Sequence, residues 1–165
     1  MKKFFIAFCT LIFNFAVFAE SLSFQIFQHS NGIKEVSEQT YRFEDELLNY
    51  FFENGKIISN EKSLVSVSKN ADSKEVIKSM NNAIEGSLDN FCEIHLYFED
   101  AKESQKDDLN LLKVVWKVSS VKNQKKSEEN KIIVKKPGNA DSEGFIKSVA
   151  VELGAELQKS LKSKA

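Results

Sequence analysis

Leu22, Phe24 and Ile26 alternate with Ser21, Ser23 and Gln25 near the start of the chain. A two-residue period sends successive side chains to opposite faces of a sheet, so Ser21 to Gln28 is predicted to be a half-buried strand. Gln28 falls on the side of the apolar set, and Phe27 on the other. Asn31-Gly32 then signals a turn. From Tyr41 the period changes: Phe43, Leu47, Leu48, Phe51 and Phe52 recur at helical spacing among Arg42, Glu44, Asp45, Glu46 and Glu53. Asn54-Gly55 stops this helix, because glycine accepts the left-handed conformation past a helix end. Lys56 to Ser59 follows as a short strand, and Leu64 to Ser68 extends it or pairs with it.

Asp72 and Glu75 stand at capping-box separation and are predicted to open a second helix, with Val76, Ile77, Met80, Ala83, Ile84 and Leu88 as its buried stripe. Phe91 to Phe98 is the clearest strand, Cys92, Ile94, Leu96 and Phe98 alternating with Glu93, His95 and Tyr97. After a polar stretch, Leu112, Val114, Trp116 and Val118 alternate with Lys113, Val115, Lys117 and Ser119. A charged connection from Lys122 to Asn130 leads to Ile132 and Val134, so the pair reads as an antiparallel hairpin with one wet face. Pro137-Gly138 breaks it. A last helix is predicted from Asp141 to Lys162, capped by Asp141 or Ser142, with Ile146, Val149, Ala150, Leu153, Leu157 and Leu161 on one face.

The order β-α-β-α-β-β-β-α predicts an α+β fold in which two layers suffice: a mixed β-sheet with helices packed on it. No internal repeat shows at a fixed period.

The first nineteen residues stand apart. Lys2 and Lys3 precede an apolar run from Phe4 to Phe18 broken only by Thr10 and Asn14. A basic start, a short apolar core and small or modest side chains at Val17 and Ala19 predict a secretory signal cleaved before Glu20. The competing reading is a retained anchor, against which the run falls short of the roughly 20 residues that span a bilayer. Cys9 lies inside the run, so it belongs to the signal core rather than serving as a lipid attachment site. The expected organisation is a signal peptide over 1–19 and a single α/β domain over 20–165, periplasmic or secreted, with no stable membrane anchor after cleavage.

Loss of two lysines leaves 21 basic against 24 acidic residues, a net charge of −3. Such a surface gives no broad attraction to nucleic acid or anionic lipid, so neither is an expected partner. Cys92 is the one cysteine left, and no internal disulfide is expected. About 146 residues suffice to bury a core without one.

Candidate chemistry is sparse. The chain has no HxxxH, CxxC, DxDxDG, GxGxxG, GxxxxGK[ST] or GxSxG pattern. Its two histidines, His29 and His95, are distant in sequence, so no metal site, cofactor or catalytic residue is assigned. Glu93, His95 and Tyr97 share one strand face as a polar patch, which reads either as an ordinary wet face or as a group for acid–base work. Cys92 points away from His95, toward the apolar set, as a buried small hydrophobe. Trp116, Tyr50, Phe51 and Phe52 read mostly as core, and acid pairs such as Asp107-Asp108 and Glu128-Glu129 read as solvated loops.

Phe43 to Ser59, FEDELLNYFFENGKIIS, resembles the helix, glycine stop and short strand of the TolB amino-terminal-like fold, which recurs in CsgG-type secretion lipoproteins and in lipoproteins that activate peptidoglycan synthases. The LKVVWKVSSV strand is the other part that carries the likeness. The chain departs from that group in having a charged loop, Lys122 to Asn130, where the family has a tight glycine, and in lacking the lipid anchor and pore-forming hairpins.

The export signal, the sparse chemistry and the resemblance together lead to the expectation of a non-enzymatic envelope adaptor that binds another envelope protein, the oligomeric state being open. Candidate partner contacts are Lys113, Lys117, Lys131, Lys135, His95 and Tyr97. Two alternatives are a small envelope hydrolase or transferase using His95 with Glu93, and a secreted carrier of a small ligand.

Overall fold

The computed structural model describes residues 20–105, 109–122, 129–134 and 142–162. The leader, Asp107-Asp108, Glu128, most of the charged connection, Lys135, Pro137-Gly138 and the Asp141 cap lie outside the described residues.

Among the described residues, six strands form one mixed sheet: β1 (Ser21–His29), β2 (Ile57–Asn60), β3 (Leu64–Val65), β4 (Asn90–Phe98), β5 (Leu111–Ser120) and β6 (Asn130–Ile133). Their spatial order is β2-β1-β4-β5-β6, with β3 also paired to β1. β1 runs parallel to β2, β3 and β4, whereas β4-β5 and β5-β6 are antiparallel. β2 and β3 act as one interrupted edge. Phe24 pairs with Asn60 and Phe27 with Leu64, so one extra residue is accommodated between them. Three helices, α1 (Glu38–Glu53), α2 (Lys69–Glu85) and α3 (Ser142–Lys162), pack on this sheet, which is the expected mixed α+β architecture.

The period-two positions of β1, β4 and β5 build the main core. Leu22, Phe24 and Ile26, then Cys92, Ile94 and Leu96, then Val114, Trp116 and Val118 all face α1 and α3. From the helices come Phe43, Leu47 and Phe51, and Ile146, Val149, Ala150, Leu153, Leu157 and Leu161. Each fully buried side chain of this kind contributes about 1.5–3 kcal/mol against exposure. α1 and α3 lie against each other, where Gly154 leaves room for the Tyr50 ring. Tyr50 Oη donates to Gln158 Oε1 at 3.2 Å, and Lys147 pairs with Glu46 at 2.9 Å.

α2 packs on the opposite face, over β1 and β4. Ala83, Phe91 and Val121 form a second, small core there, with Val76, Met80 and Leu88 against it. Helices therefore flank both faces, and the second face is only partly covered. Because that core is small, four of the six residues in the predicted stripe of α2 pack there, and Ile77 (62% exposed) and Ile84 (44%) point to solvent.

Local starts and stops follow the side chains available. Ser37 caps α1, its hydroxyl accepting from Thr40 N–H at 3.2 Å, so the helix opens earlier than the apolar period alone indicates. Gly55, at φ +64°, terminates α1 as expected. α2 opens at Lys69 rather than Asp72, because Ser68 Oγ takes the Ala71 N–H at 3.2 Å. Asp72 is thereby released from capping. A register shift between Tyr97 and Phe98 pairs Phe98 with Leu111 and Tyr97 with Lys113. Leu112, expected in the core, is the extra residue of this bulge and is 47% exposed, and Leu111 takes the core position in its place. Phe52, expected at the core, is 80% exposed at the end of α1.

Candidate functional site

Glu93, His95 and Tyr97 do share one face of β4, the face that α2 partly covers. The parallel register sets Phe27 beside His95 and His29 beside Tyr97. His29 and His95, far apart in sequence, are therefore neighbours at the carboxyl ends of adjacent parallel strands, the end at which open α/β sheets place ligands. His29 Nε2 and His95 Nδ1 are 2.8 Å apart. The sequence reading missed this pair because its members are joined by strand pairing across 66 positions, which no local spacing reports.

The rings are stacked into a short column. His29 lies on Tyr97 with centroids 4.2 Å apart, and Phe27 lies on His95 at 5.1 Å. Lys113 Nζ sits 4.0 Å from the centroid of Tyr97. His95 Nε2 is 2.8 Å from Glu93 Oε1. A carboxylate only accepts, so this bond fixes the proton of neutral His95 on Nε2 and leaves Nδ1 as an acceptor. His29 then donates from its Nε2.

Asp72 completes the group from the first turn of α2. It is buried, and its Oδ2 accepts from Ser66 Oγ at 2.6 Å. Its carboxylate and the two imidazoles offer three donor atoms within 4.8 Å of one another. Burial, followed by the neighbouring His95, lowers the His29 pKa from 6.5 to about 4, so this imidazole is neutral at physiological pH. Burial also raises the Tyr97 phenol, with Glu129, Asp72 and Glu93 adding to the effect. The cluster floors a cleft of about 560 Å³ that Ser66, Lys69, Ser73, Val76, Lys117 and Glu129 help to line.

Of the candidate contact lysines, Lys113, Lys117 and Lys131 fall on this same sheet face. Cross-strand pairing aligns Tyr97 with Lys113, Glu93 with Lys117, and Lys131 with Val115. Lys113 and Lys117 are half-buried and Lys131 is exposed, as is Ile133 at 65%. Lys135 lies outside the described residues. Cys92 is buried on the far side of β4, away from the histidines, as expected. Trp116 is core, and its Nε1 has no hydrogen-bond partner among the described residues.

The chain belongs to the family whose model, described as "Uncharacterised protein", matches residues 21–162. No curated protein matches it in sequence. Its fold is similar to that of protein XCC0632 from Xanthomonas campestris, a DUF330 protein: TM-score 0.51, 11% identity, 89% of each chain covered. The PelC dodecamer from Paraburkholderia phytofirmans matches at TM-score 0.47 and 7% identity, over 82% of this chain and 86% of that one. Lipoprotein GNA1162 from Neisseria meningitidis matches at TM-score 0.41 and 9% identity, over 84% and 98%. At these identities the likeness is one of fold. Among the described residues, no helix is long and apolar enough to cross a membrane.

Proposed function

We propose that this chain is an exported, non-enzymatic domain of the cell envelope, periplasmic in location, that binds another envelope protein through the partly covered face of its sheet. The observation that carries the reading is the composition of that face on β5 and β6. Lys113 pairs across from Ile133, an apolar side chain 65% exposed on an end strand of the sheet, Lys131 lies two positions before it on the same face, and Lys117 lies farther along β5. An exposed apolar side chain beside Lys113 and Lys131 suits a partner presenting an apolar residue next to carboxylates. Among the described residues β6 is an end strand, the position that strand addition uses. The basic, apolar leader supports export, and the TolB amino-terminal-like element order supports an envelope role.

Photo-crosslinking in intact cells tests this reading. A crosslinker at Lys131 or Ile133 should give one discrete adduct with an envelope protein, and one at Val151 on α3 should not. Combining Lys113→Glu with Lys117→Glu should abolish the adduct while leaving the circular dichroism spectrum unchanged. Equal labelling from Val151, or an adduct indifferent to charge reversal, would remove the sheet face as the contact.

The 2.8 Å contact of Glu93 with His95 favours one second reading, a hydrolase or transferase in which Glu93 orients a His95 base. Loss of turnover in His95→Ala on a panel of ester and cell-wall substrates would support it, and an inactive wild-type protein would dismiss it.

A further inference from the structure

Neither reading uses the convergence of His29, His95 and Asp72. We infer that His29 Nε2, His95 Nδ1 and one carboxylate oxygen of Asp72 bind a single divalent transition-metal ion of the zinc(II) or copper(II) type. This inference stands apart from the protein-binding proposal.

The geometry is close to what such an ion requires. A tetrahedral ion with bonds of about 2.0–2.1 Å holds its ligands about 3.3 Å apart. The two imidazole nitrogens are 2.8 Å apart and all three donors lie within 4.8 Å, so small side-chain rotations convert the group into a coordination set. His29 and His95 stand on paired strands of the sheet, and Asp72 stands in the first turn of a helix packed on it. All three thus sit on ordered elements rather than on loops.

The groups around these three side chains also suit a bound ion. Metal-bound imidazole typically donates its second N–H to a carboxylate, and Glu93 Oε1 lies 2.8 Å from His95 Nε2 for that role. The same bond presents the Nδ1 lone pair toward His29. Ser66 Oγ holds Asp72 Oδ2 at 2.6 Å and leaves Oδ1 to turn toward the imidazoles. Binding then asks only that the His29 proton move from Nε2 to Nδ1, which freezes the pair as two converging acceptors. The ligand chemistry selects the ion class. Two imidazole nitrogens with one oxygen suit zinc, copper or nickel, whereas calcium and magnesium prefer all-oxygen shells. A fourth position opens into the cleft toward Lys69, Ser73 and Glu129, leaving space for water or an exogenous ligand.

The test is titration of the exported chain, purified without a histidine tag and stripped with EDTA, with zinc chloride against a chromophoric chelator. One ion per chain is expected. His29→Gln, His95→Gln and Asp72→Asn should each weaken binding by about 30-fold or more, and Glu93→Gln by about tenfold, the range typical of outer-shell partners. Copper(II) added to the same protein should show couplings to two imidazole nitrogens in its paramagnetic resonance spectrum, with one lost in His29→Gln. Unchanged affinity in His29→Gln or Asp72→Asn, or a copper spectrum with a single nitrogen, would overturn the site. Should a variant fail to fold, the wild-type copper spectrum alone decides.

Discussion

Thr40 Oγ1 donates to the side-chain carbonyl of Gln28, 2.7 Å away, in a fully buried contact between the end of β1 and the first turn of α1. The same Gln28 Oε1 accepts from the Ser37 N–H at 2.8 Å, and Gln28 Nε2 donates to the Glu35 carbonyl at 3.2 Å. One amide therefore satisfies the turn between strand and helix, which explains a glutamine among Leu22, Phe24 and Ile26.

Gln28→Leu would take the acceptor from the buried Ser37 N–H and from the Thr40 hydroxyl, whose other neighbour is Ser37 Oγ at 3.1 Å. Each such group costs about 1–3 kcal/mol, so a loss of about 3 kcal/mol is expected in urea denaturation. A loss below about 1 kcal/mol would mean that water replaces the amide.

The bulge at the start of β5 separates two adjacent leucines. Leu111→Ala removes a core side chain and should cost about 2–4 kcal/mol. Leu112→Ala, at a half-exposed position, should stay within about 0.5 kcal/mol. Equal losses in thermal melts would place the register shift elsewhere.

Gly154 is helical, and alanine there would ordinarily favour the helix by about 0.5–1 kcal/mol. Its added carbon would overlap the Tyr50 ring, with Tyr50 Cε1 at 2.8 Å. Gly154→Ala is therefore expected to lower the melting temperature, and Gly154→Ala combined with Tyr50→Leu should recover part of the loss. A stabilised single variant would show that α1 and α3 lie farther apart.

Asp89 ties the start of β1 to the start of β4. It pairs with Lys122 at 2.6 Å and accepts from the Ser21 N–H at 3.2 Å and the Ser21 hydroxyl at 2.9 Å. The Lys122 contact first, then the Ser21 bonds, hold its carboxyl below the usual value of 3.8. A depressed carboxyl contributes stability that is present above its unfolded value and is lost as pH falls through the folded one. Melts between pH 6 and pH 2.5 should therefore steepen below about pH 4 in the wild type, and Asp89→Asn should flatten that limb. Identical profiles would assign the acid limb to other carboxylates.

What the sequence disclosed and what it concealed follow from the range of the interactions. β1 and β4 were legible because their alternation is local and their apolar faces are deeply buried. α1 and α3 were legible for the same reason, through a helical period and the Gly55 stop. The start of α2 was not, since Ser68 and Asp72 are both acceptable caps four residues apart. The choice falls to Ser68 because Ser66, just before it, is already bound through its N–H to Gln28 O at 2.8 Å and so sets where the chain turns. Ile77 and Ile84 fit a buried period equally well, yet α2 covers a face too narrow to accept them. The His29–His95 pair depends on which strands are neighbours, and the crossover that puts β1 between β2 and β4 leaves no mark on spacing. The leader and Lys135 belong to residues outside those described.

The position of β1 also governs when the fold can form. This strand emerges from the ribosome ahead of both of its sheet neighbours, and its tie to Asp89 spans 68 residues. A nascent chain must therefore hold Leu22, Phe24 and Ile26 without their partners until the segment around Asn90–Phe98 has been made. Such non-local closure slows assembly and favours engagement by a chaperone in the interval.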